Sequence, residues 1–510
     1  PGYHRLRRDG DGAERSLIVT PAHCCLPPGL RGWLLSVQLY ALRGARSWGI
    51  GDLGALRTLA RWTREQGGTS LLLNPLHAAA PTHPQEASPY YPSSRVYRNP
   101  LYLEVESVPG AEQLGSALEP LARAGRDLNG CRSIDRDRVW DLKRAALRRL
   151  YEAGTDDPAF AAWRVAEGAA LHTFALYCAI AERHGARWTE WPASLRRPQL
   201  PGVADFERRH APDVRFHAWL QWLLAGQLTA VAAELPPITD LAVGVDPQGA
   251  DAWQWQDVLA LGVTVGAPPD PFSEGGQNWG LPPFDPWRLR AVAYQPFRDM
   301  LRSALHSAAG LRIDHVMGLF RLFWIPQSSD PSDGAYVRYP ADELLGIVAL
   351  ESRRAGGFVV GEDLGTVAGG VRASLRERQI LSYRLLLFED RPPADYPAEA
   401  LAAATTHDLP TLTGLWGDPG LAPELRARVE RAAGLGPDAS AGDVVIAAER
   451  ALAGSPSRLV AATLEDAAGV SEQPNHPGTV GGGNWSLALP TTVEALTQSE
   501  QASRLAAALH

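Results

Sequence analysis

Eight short apolar runs, most of them followed by a helical stretch, constrain this 510-residue chain more than any other feature. They cover residues 34–39, 70–73, 241–245, 311–313, 358–360, 384–388, 401–405 and 459–464. Each is too short for a helix and reads as a buried strand. Strands that alternate with helices build a parallel sheet, and eight of them predict an α/β fold, a closed (β/α)8 barrel. Such a barrel presents its chemistry where the strands end. Polar residues stand at those ends: Asp246, Asp314, Glu362, Glu389, His407 with Asp408, and Glu465 with Asp466.

The long gap between the second and third runs holds amphipathic segments at 134–152, 158–184 and 203–235. They predict a helical insertion at about 110–236 on a catalytic barrel spanning 31–510. The first 30 residues read differently. Residues 16–20 look like a strand with no nearby partner, and Pro21, Pro27 and Pro28 make a linker. The expectation is the tail of an upstream β-rich segment.

A formal charge of −8 argues against a nucleic-acid partner and for a neutral one. No run of 18 apolar residues predicts a membrane span, and no secretory signal opens the chain. Four cysteines, Cys24, Cys25, Cys131 and Cys178, lack any CxxC or zinc spacing, which fits a reducing cytoplasm. The single lysine, Lys143, excludes a Walker P-loop. No metal or cofactor is called for, since no ligand spacing or EF-hand-like loop is found. Sixteen tryptophans against that one lysine suit sugar platforms, although tryptophan is also a common core residue.

In Leu311-Arg312-Ile313-Asp314-His315-Val316, Arg312 and Asp314 share one face of a strand. A cation there favours the ionised carboxylate, as covalent catalysis on a sugar requires. Taken alone, the six residues fit a structural ion pair equally well. Glu362 ends the apolar run of Phe358-Val359-Val360-Gly361, and Asp408 follows His407 in Thr406-His407-Asp408-Leu409-Pro410. A retaining glycosidase needs a carboxylate nucleophile and a carboxylic acid roughly 5–5.5 Å apart, and neighbouring strand ends can supply them. Three acids at three strand ends are harder to read as isolated ion pairs or helix caps than any one of them. Pro271-Phe272-Ser273-Glu274-Gly275-Gly276 reads as a mobile loop over the cleft.

Several words extend this reading: Ser47-Trp48-Gly49-Ile50-Gly51-Asp52-Leu53-Gly54, Ser88-Pro89-Tyr90, Gly266-Ala267-Pro268-Pro269-Asp270, Gly276-Gln277-Asn278-Trp279-Gly280, Leu311-Arg312-Ile313-Asp314-His315, Gly361-Glu362-Asp363-Leu364-Gly365 and Thr406-His407-Asp408-Leu409-Pro410-Thr411. In this order they resemble the amylomaltases, the 4-α-glucanotransferases of glycoside hydrolase family 77, from about Gly32 to Pro490. The resemblance implies a cytoplasmic transferase of maltodextrin, glycogen and starch metabolism. It would move α-1,4-glucan segments between maltooligosaccharide donors and acceptors by a retaining mechanism. It makes Asp314 the nucleophile, Glu362 the acid and base, and Asp408 a transition-state stabiliser. Arg312 would keep Asp314 ionised, and His315 and His407 would contact sugar. Tyr90, Trp279 and Asn278 would form subsites. Where many members carry an Asp-Ser-Ala-Asp run, this chain has Val245-Asp246-Pro247-Gln248-Gly249-Ala250-Asp251, and Asp246 stands as the substitute substrate-binding aspartate. Near the C-terminus Gly481-Gly482-Gly483-Asn484-Trp485 replaces the usual acid and proline before Asn-Trp. An α-glucan hydrolase of the same chemistry and a non-catalytic glycan-binding scaffold are the other readings; the second expects one of the three acids to be missing.

Overall fold

The computed structural model describes residues 1–7, 14–154, 157–269, 274–479 and 481–510. Its centre is a sheet of eight parallel strands: β1 (Gly32–Val37), β2 (Ser70–Leu73), β3 (Ile238–Leu241), β4 (Gly310–Ile313), β5 (Phe358–Gly361), β6 (Ser382–Leu385), β7 (Ala400–Ala403) and β8 (Leu459–Thr463). The strands neighbour one another in chain order, and β8 pairs with β1. A parallel bridge between Val360 and Leu381 closes β5 onto β6, with Gly361 N–H to the Leu381 carbonyl at 2.8 Å. The sheet is therefore the expected (β/α)8 barrel.

Period two along the strands sorts the side chains. Leu34, Ile238, Val360, Leu401 and Ala461 fill the barrel interior, while Leu35, Val460 and Ala462 pack outward against helices. On β4, Leu311 and Ile313 pack outward against the helices Gln295–Leu305 and Ala341–Ala355, which leaves Arg312 facing in. Gly310 leaves room for Phe358, whose ring would lie 2.7 Å from a Cβ there. The link from β6 to β7 carries only a 3-10 turn, Pro393–Asp395, among the described residues.

Between β2 and β3 the chain forms the helices Gly115–Asp127, Arg136–Ala153, Pro158–His184 and Pro201–Glu234. A four-stranded antiparallel sheet stands outside the barrel, in the order Ala335–Arg338, Arg321–Pro326, Val263–Ala267, Gln277–Leu281. No helix among the described residues is long and apolar enough to cross a membrane. Of the loop expected over the cleft, residues 271–273 lie outside the described residues.

The strand at 16–20 does have a partner. Glu14–Val19 pairs antiparallel with Gly2–Arg7, with Gly2 opposite Val19. The partner is largely polar and showed no apolar alternation. The hairpin is tied to the barrel by Tyr3, whose hydroxyl donates to buried Glu351 at 2.5 Å and whose ring carries Arg298 at 3.5 Å.

Two buried charged groups contrast. Lys143 donates to the Leu101 and Leu103 carbonyls at 2.6 and 2.8 Å, and burial lowers its pKa to about 8 against the pull of Asp52 and Glu104. Glu449 is fully buried, and among the described residues neither of its carboxylate oxygens has a hydrogen-bond partner. Burial, reinforced by Asp466, pushes its carboxyl well up. It is thus protonated in the folded protein at pH values where the unfolded chain has released that proton. Its contribution to stability falls as pH rises above the ordinary glutamate range, near 4.3. Glu449→Leu should therefore add roughly 1–3 kcal/mol at pH 8. The gain should be smaller at pH 5, as urea unfolding at both pH values will show.

Candidate active site

The register of three strands assembles the centre. Arg312 on β4 lies directly opposite Asp240 on β3 and Val360 on β5. Its Nη1 donates to both Asp240 oxygens at 2.7 and 2.6 Å, and its Nη2 reaches Asp314 Oδ1 at 3.1 Å. Arg312 and Asp240 are almost wholly buried. Asp314 follows Arg312 by two residues and Glu362 follows Val360 by two, so each keeps its strand's inward face. They occupy the next facing positions on strands that lie about 4.8 Å apart. Glu362 is aimed by two backbone donors: His315 N–H to Oε2 at 2.9 Å and Leu364 N–H to Oε1 at 2.7 Å. Behind it, fully buried Asp363 accepts from Tyr383 N–H, Ser382 Oγ and Arg372 Nε, which fixes the end of β5 against β6.

The electrostatics differ from the expectation that Arg312 alone holds Asp314 low. Burial, opposed by Arg312 and reinforced by Asp240 and Glu362, pushes Asp314 up to about 7. Burial also raises Glu362, against Arg312 and its two N–H donors. The physical reason is burial first, which Arg312, already paired with Asp240, does not offset. Two further carboxyl groups buried beside one guanidinium are therefore both displaced upward.

Asp408 stands on the loop after β7. Against the desolvation around it, the neighbouring His407 and the Asn475 amide hold its carboxyl down at about 2. His407 Nε2 lies 3.3 Å from Oδ2, and Asn475 Nδ2 donates to Oδ1 at 2.6 Å. His407 opposes its own burial through Asp408 and is raised. His315 follows Asp314 in a left-handed turn, φ 47°, and burial lowers its pKa to about 4, so its ring is neutral.

Tyr90 donates to Asp240 Oδ2 at 2.7 Å, and its ring lies 5.0 Å from His407 and 5.4 Å from Trp485. His407 and Trp485 close the triangle at 5.1 Å. Opposite, Trp279 meets the His315 ring edge-on at 5.2 Å and donates to Gln277 Oε1 at 2.9 Å. Asn278 is exposed beside it and accepts from Gly280 N–H. Asp246 accepts from Gln248 N–H at 2.8 Å and lies beside Tyr91.

The aspartate that faces Arg312 is Asp240, which sequence reasoning missed because β3 begins at Ile238, three residues before the apolar run that marked it. Asn475 and Trp485 were missed too. The signal was present in the Asn-Trp pair, but nothing in the sequence says which strand end that loop covers. Asparagine at Asp240 would keep its shape and remove the charge that fixes Arg312. The expected loss in kcat/KM is about 10²-fold, from a displaced guanidinium and an altered proton balance. Steady-state kinetics check this.

The model of the 4-alpha-glucanotransferase family, glycoside hydrolase family 77, matches residues 37–492. The 4-alpha-glucanotransferase of Mycobacterium tuberculosis is 43% identical over a 575-residue alignment that covers 100% of this chain and 79% of that protein. The Haemophilus influenzae 4-alpha-glucanotransferase is 36% identical over 455 residues, 81% of this chain and 65% of that one. Among solved structures, amylomaltase from Corynebacterium glutamicum superposes with a TM-score of 0.89 at 32% identity, covering 100% of this chain and 80% of the other. The Streptococcus agalactiae amylomaltase solved in complex with acarbose shares the fold, with a TM-score of 0.80 at 19% identity over 94% and 98% of the two chains.

Proposed function

Because the chain belongs to the 4-α-glucanotransferases of glycoside hydrolase family 77, we propose that it moves α-1,4-linked glucan segments between maltodextrins by a retaining double displacement at Asp314 and Glu362. What supports the reading is the shared register of β4 and β5, in which Asp314 and Glu362 directly follow the paired Ile313 and Gly361, together with the raised pKa of both carboxyl groups, which suits a single proton held by the two. With that proton on Glu362, its hydroxyl protonates the glycosidic oxygen as the bond to the anomeric carbon breaks. Asp314 attacks that carbon and forms the glucosyl-enzyme. An acceptor hydroxyl then attacks from the vacated side and gives its proton to the Glu362 carboxylate, and Asp314 leaves.

Arg312 stabilises the negative charge that returns to Asp314. Asp408, ionised beside His407, suits sugar hydroxyls and the positive charge of the oxocarbenium-like transition state. The neutral His315 ring, Asn278 and the aromatic faces of Tyr90 and Trp279 suit hydrogen bonding and stacking with neighbouring glucose units. We read the helices between β2 and β3 as an insertion subdomain on the barrel, and the compartment as the cytoplasm, the partner being a neutral sugar rather than nucleic acid or membrane.

Incubation with maltotriose tests the reaction. Longer and shorter oligosaccharides should accumulate with little net gain of reducing ends. A steady gain of reducing ends without longer products would mean hydrolysis instead.

A further inference from the structure

The first turn of the helix Arg136–Ala153 belongs to the stretch between β2 and β3, yet it reaches the aromatic wall of the site. Arg136 is buried, and its Nη2 donates to the Trp485 carbonyl. Its guanidinium lies 5.3 Å from the Tyr40 ring centre, and Tyr40 meets Trp485 edge-on at 6.4 Å. Trp485 itself has φ 59°, a left-handed backbone that a large side chain adopts only when its surroundings impose it. The three glycines before Asn484 do not impose it. Gly481, Gly482 and Gly483 all have positive φ, and glycine adopts such angles freely without enforcing them. Ser486 N–H closes a turn over it onto the Gly483 carbonyl at 3.1 Å, and two ties come from outside that run: the Pro474 carbonyl accepts from Trp485 N–H at 2.8 Å, and Arg136 takes the Trp485 carbonyl.

The same helical turn anchors the loop that carries Tyr90. Asp137 Oδ1 accepts from Gln85 N–H at 2.6 Å, and His83 places one ring nitrogen 3.0 Å from Asp137 and the other 3.0 Å from Asp141. One turn of helix therefore holds both loops whose rings meet at His407.

We infer that Arg136 is a positioning residue for glucan transfer: through the Trp485 carbonyl it keeps the indole against His407 and Tyr90, and so keeps Asp408 in register with Asp314 and Glu362. The inference rests on the transfer reaction proposed above. A continuous set of contacts connects the two ends, from Arg136 through Trp485, Tyr90, Asp240 and Arg312 to Asp314. A guanidinium suits the role because it can hold a carbonyl and lie over a ring at once, which an ammonium on a shorter reach does less well. A structural arginine would affect folding alone. A positioning one also changes how the folded enzyme divides its glucosyl-enzyme between sugar and water.

The test uses the full chain and maltotriose, with kcat, KM, the ratio of transfer to hydrolysis, and the thermal midpoint measured for wild type, R136K and R136M. The expected kcat losses are about three- to tenfold for R136K and at least about thirtyfold for R136M, with KM changing by less than about threefold. The share of hydrolysis should rise in both as the wall loosens. If R136M does not fold, R136K decides by the same readouts. R136K with wild-type kcat and product ratio overturns the inference, as does a loss that follows only the fraction of folded protein with the ratio unchanged. A wild-type chain that makes no longer oligosaccharides overturns the transfer reading and this inference with it. Normal wild-type transfer beside unaffected variants overturns the inference alone.

Discussion

Asparagine at Asp314 leaves a chain that folds and still binds maltodextrins but turns them over at least about 10⁴-fold more slowly. The amide is nearly isosteric, but it cannot form a stable glucosyl ester and returns no negative charge to Arg312. Folding should hold, because the Arg312–Asp240 pair survives the change. It should even ease slightly, since one of two carboxyl groups competing for the same guanidinium is gone. Two measurements separate the outcomes: product formation from maltotriose and titration with a maltooligosaccharide followed by calorimetry. Preserved turnover would remove Asp314 from the nucleophile's role. Lost binding together with lost turnover would point to a collapsed site.

Glutamine at Glu362 should cost about 10²–10⁴ in kcat on α-1,4-glucans, the usual scale for a lost proton donor. A donor with a good leaving group, such as α-maltosyl fluoride, needs no proton there and should keep most of its first-step rate. The pH profile gives the sharper test. Burial raises both Asp314 and Glu362, Asp314 to about 7. The active form carries one proton on the pair. As pH rises past the raised range of Glu362 that proton leaves, the acid is lost and kcat/KM falls. As pH falls well below, a second proton adds, the nucleophile is neutralised and kcat/KM falls again. The wild-type profile is therefore a bell whose basic side disappears in Glu362→Gln with the activated donor. A basic side that persists in that variant would belong to some other group.

How much of this could be read from the sequence follows from where apolar alternation is clean. Six of the eight runs overlap their strands over most of their length, because those strands are buried on both faces; the sixth shares only Arg384 and Leu385 with β6. The third was shifted. Thr239 and Asp240 are polar residues inside β3, made tolerable by the Ala304 carbonyl and by Arg312, partners that no local pattern reveals. The shift hid the aspartate opposite Arg312. That Asp314 and Glu362 stand at neighbouring strand ends was legible from the apolar runs that precede them, whereas the register that pairs those strands was not. The joint rise of their pKa values was not legible either, since it depends on burial that Arg312, already paired with Asp240, does not offset. Nor could sequence place Trp485 against Tyr90, almost 400 residues earlier in the chain, because that contact is made by loops. The polar strand at Gly2–Arg7 escaped notice for the same lack of an apolar period.

Lys143 has a chemical consequence beyond its two carbonyl partners. All but one of the 49 lysine and arginine residues are arginine, and the exception is 1% exposed. Reducing sugars condense through their open-chain aldehyde with unprotonated primary amines, and a guanidinium that stays charged beyond pH 12 offers none. On our reading the ligands of this protein end in that aldehyde. Its side chains therefore expose almost no primary amine for slow glycation to attack, while the positive charge is retained on arginine.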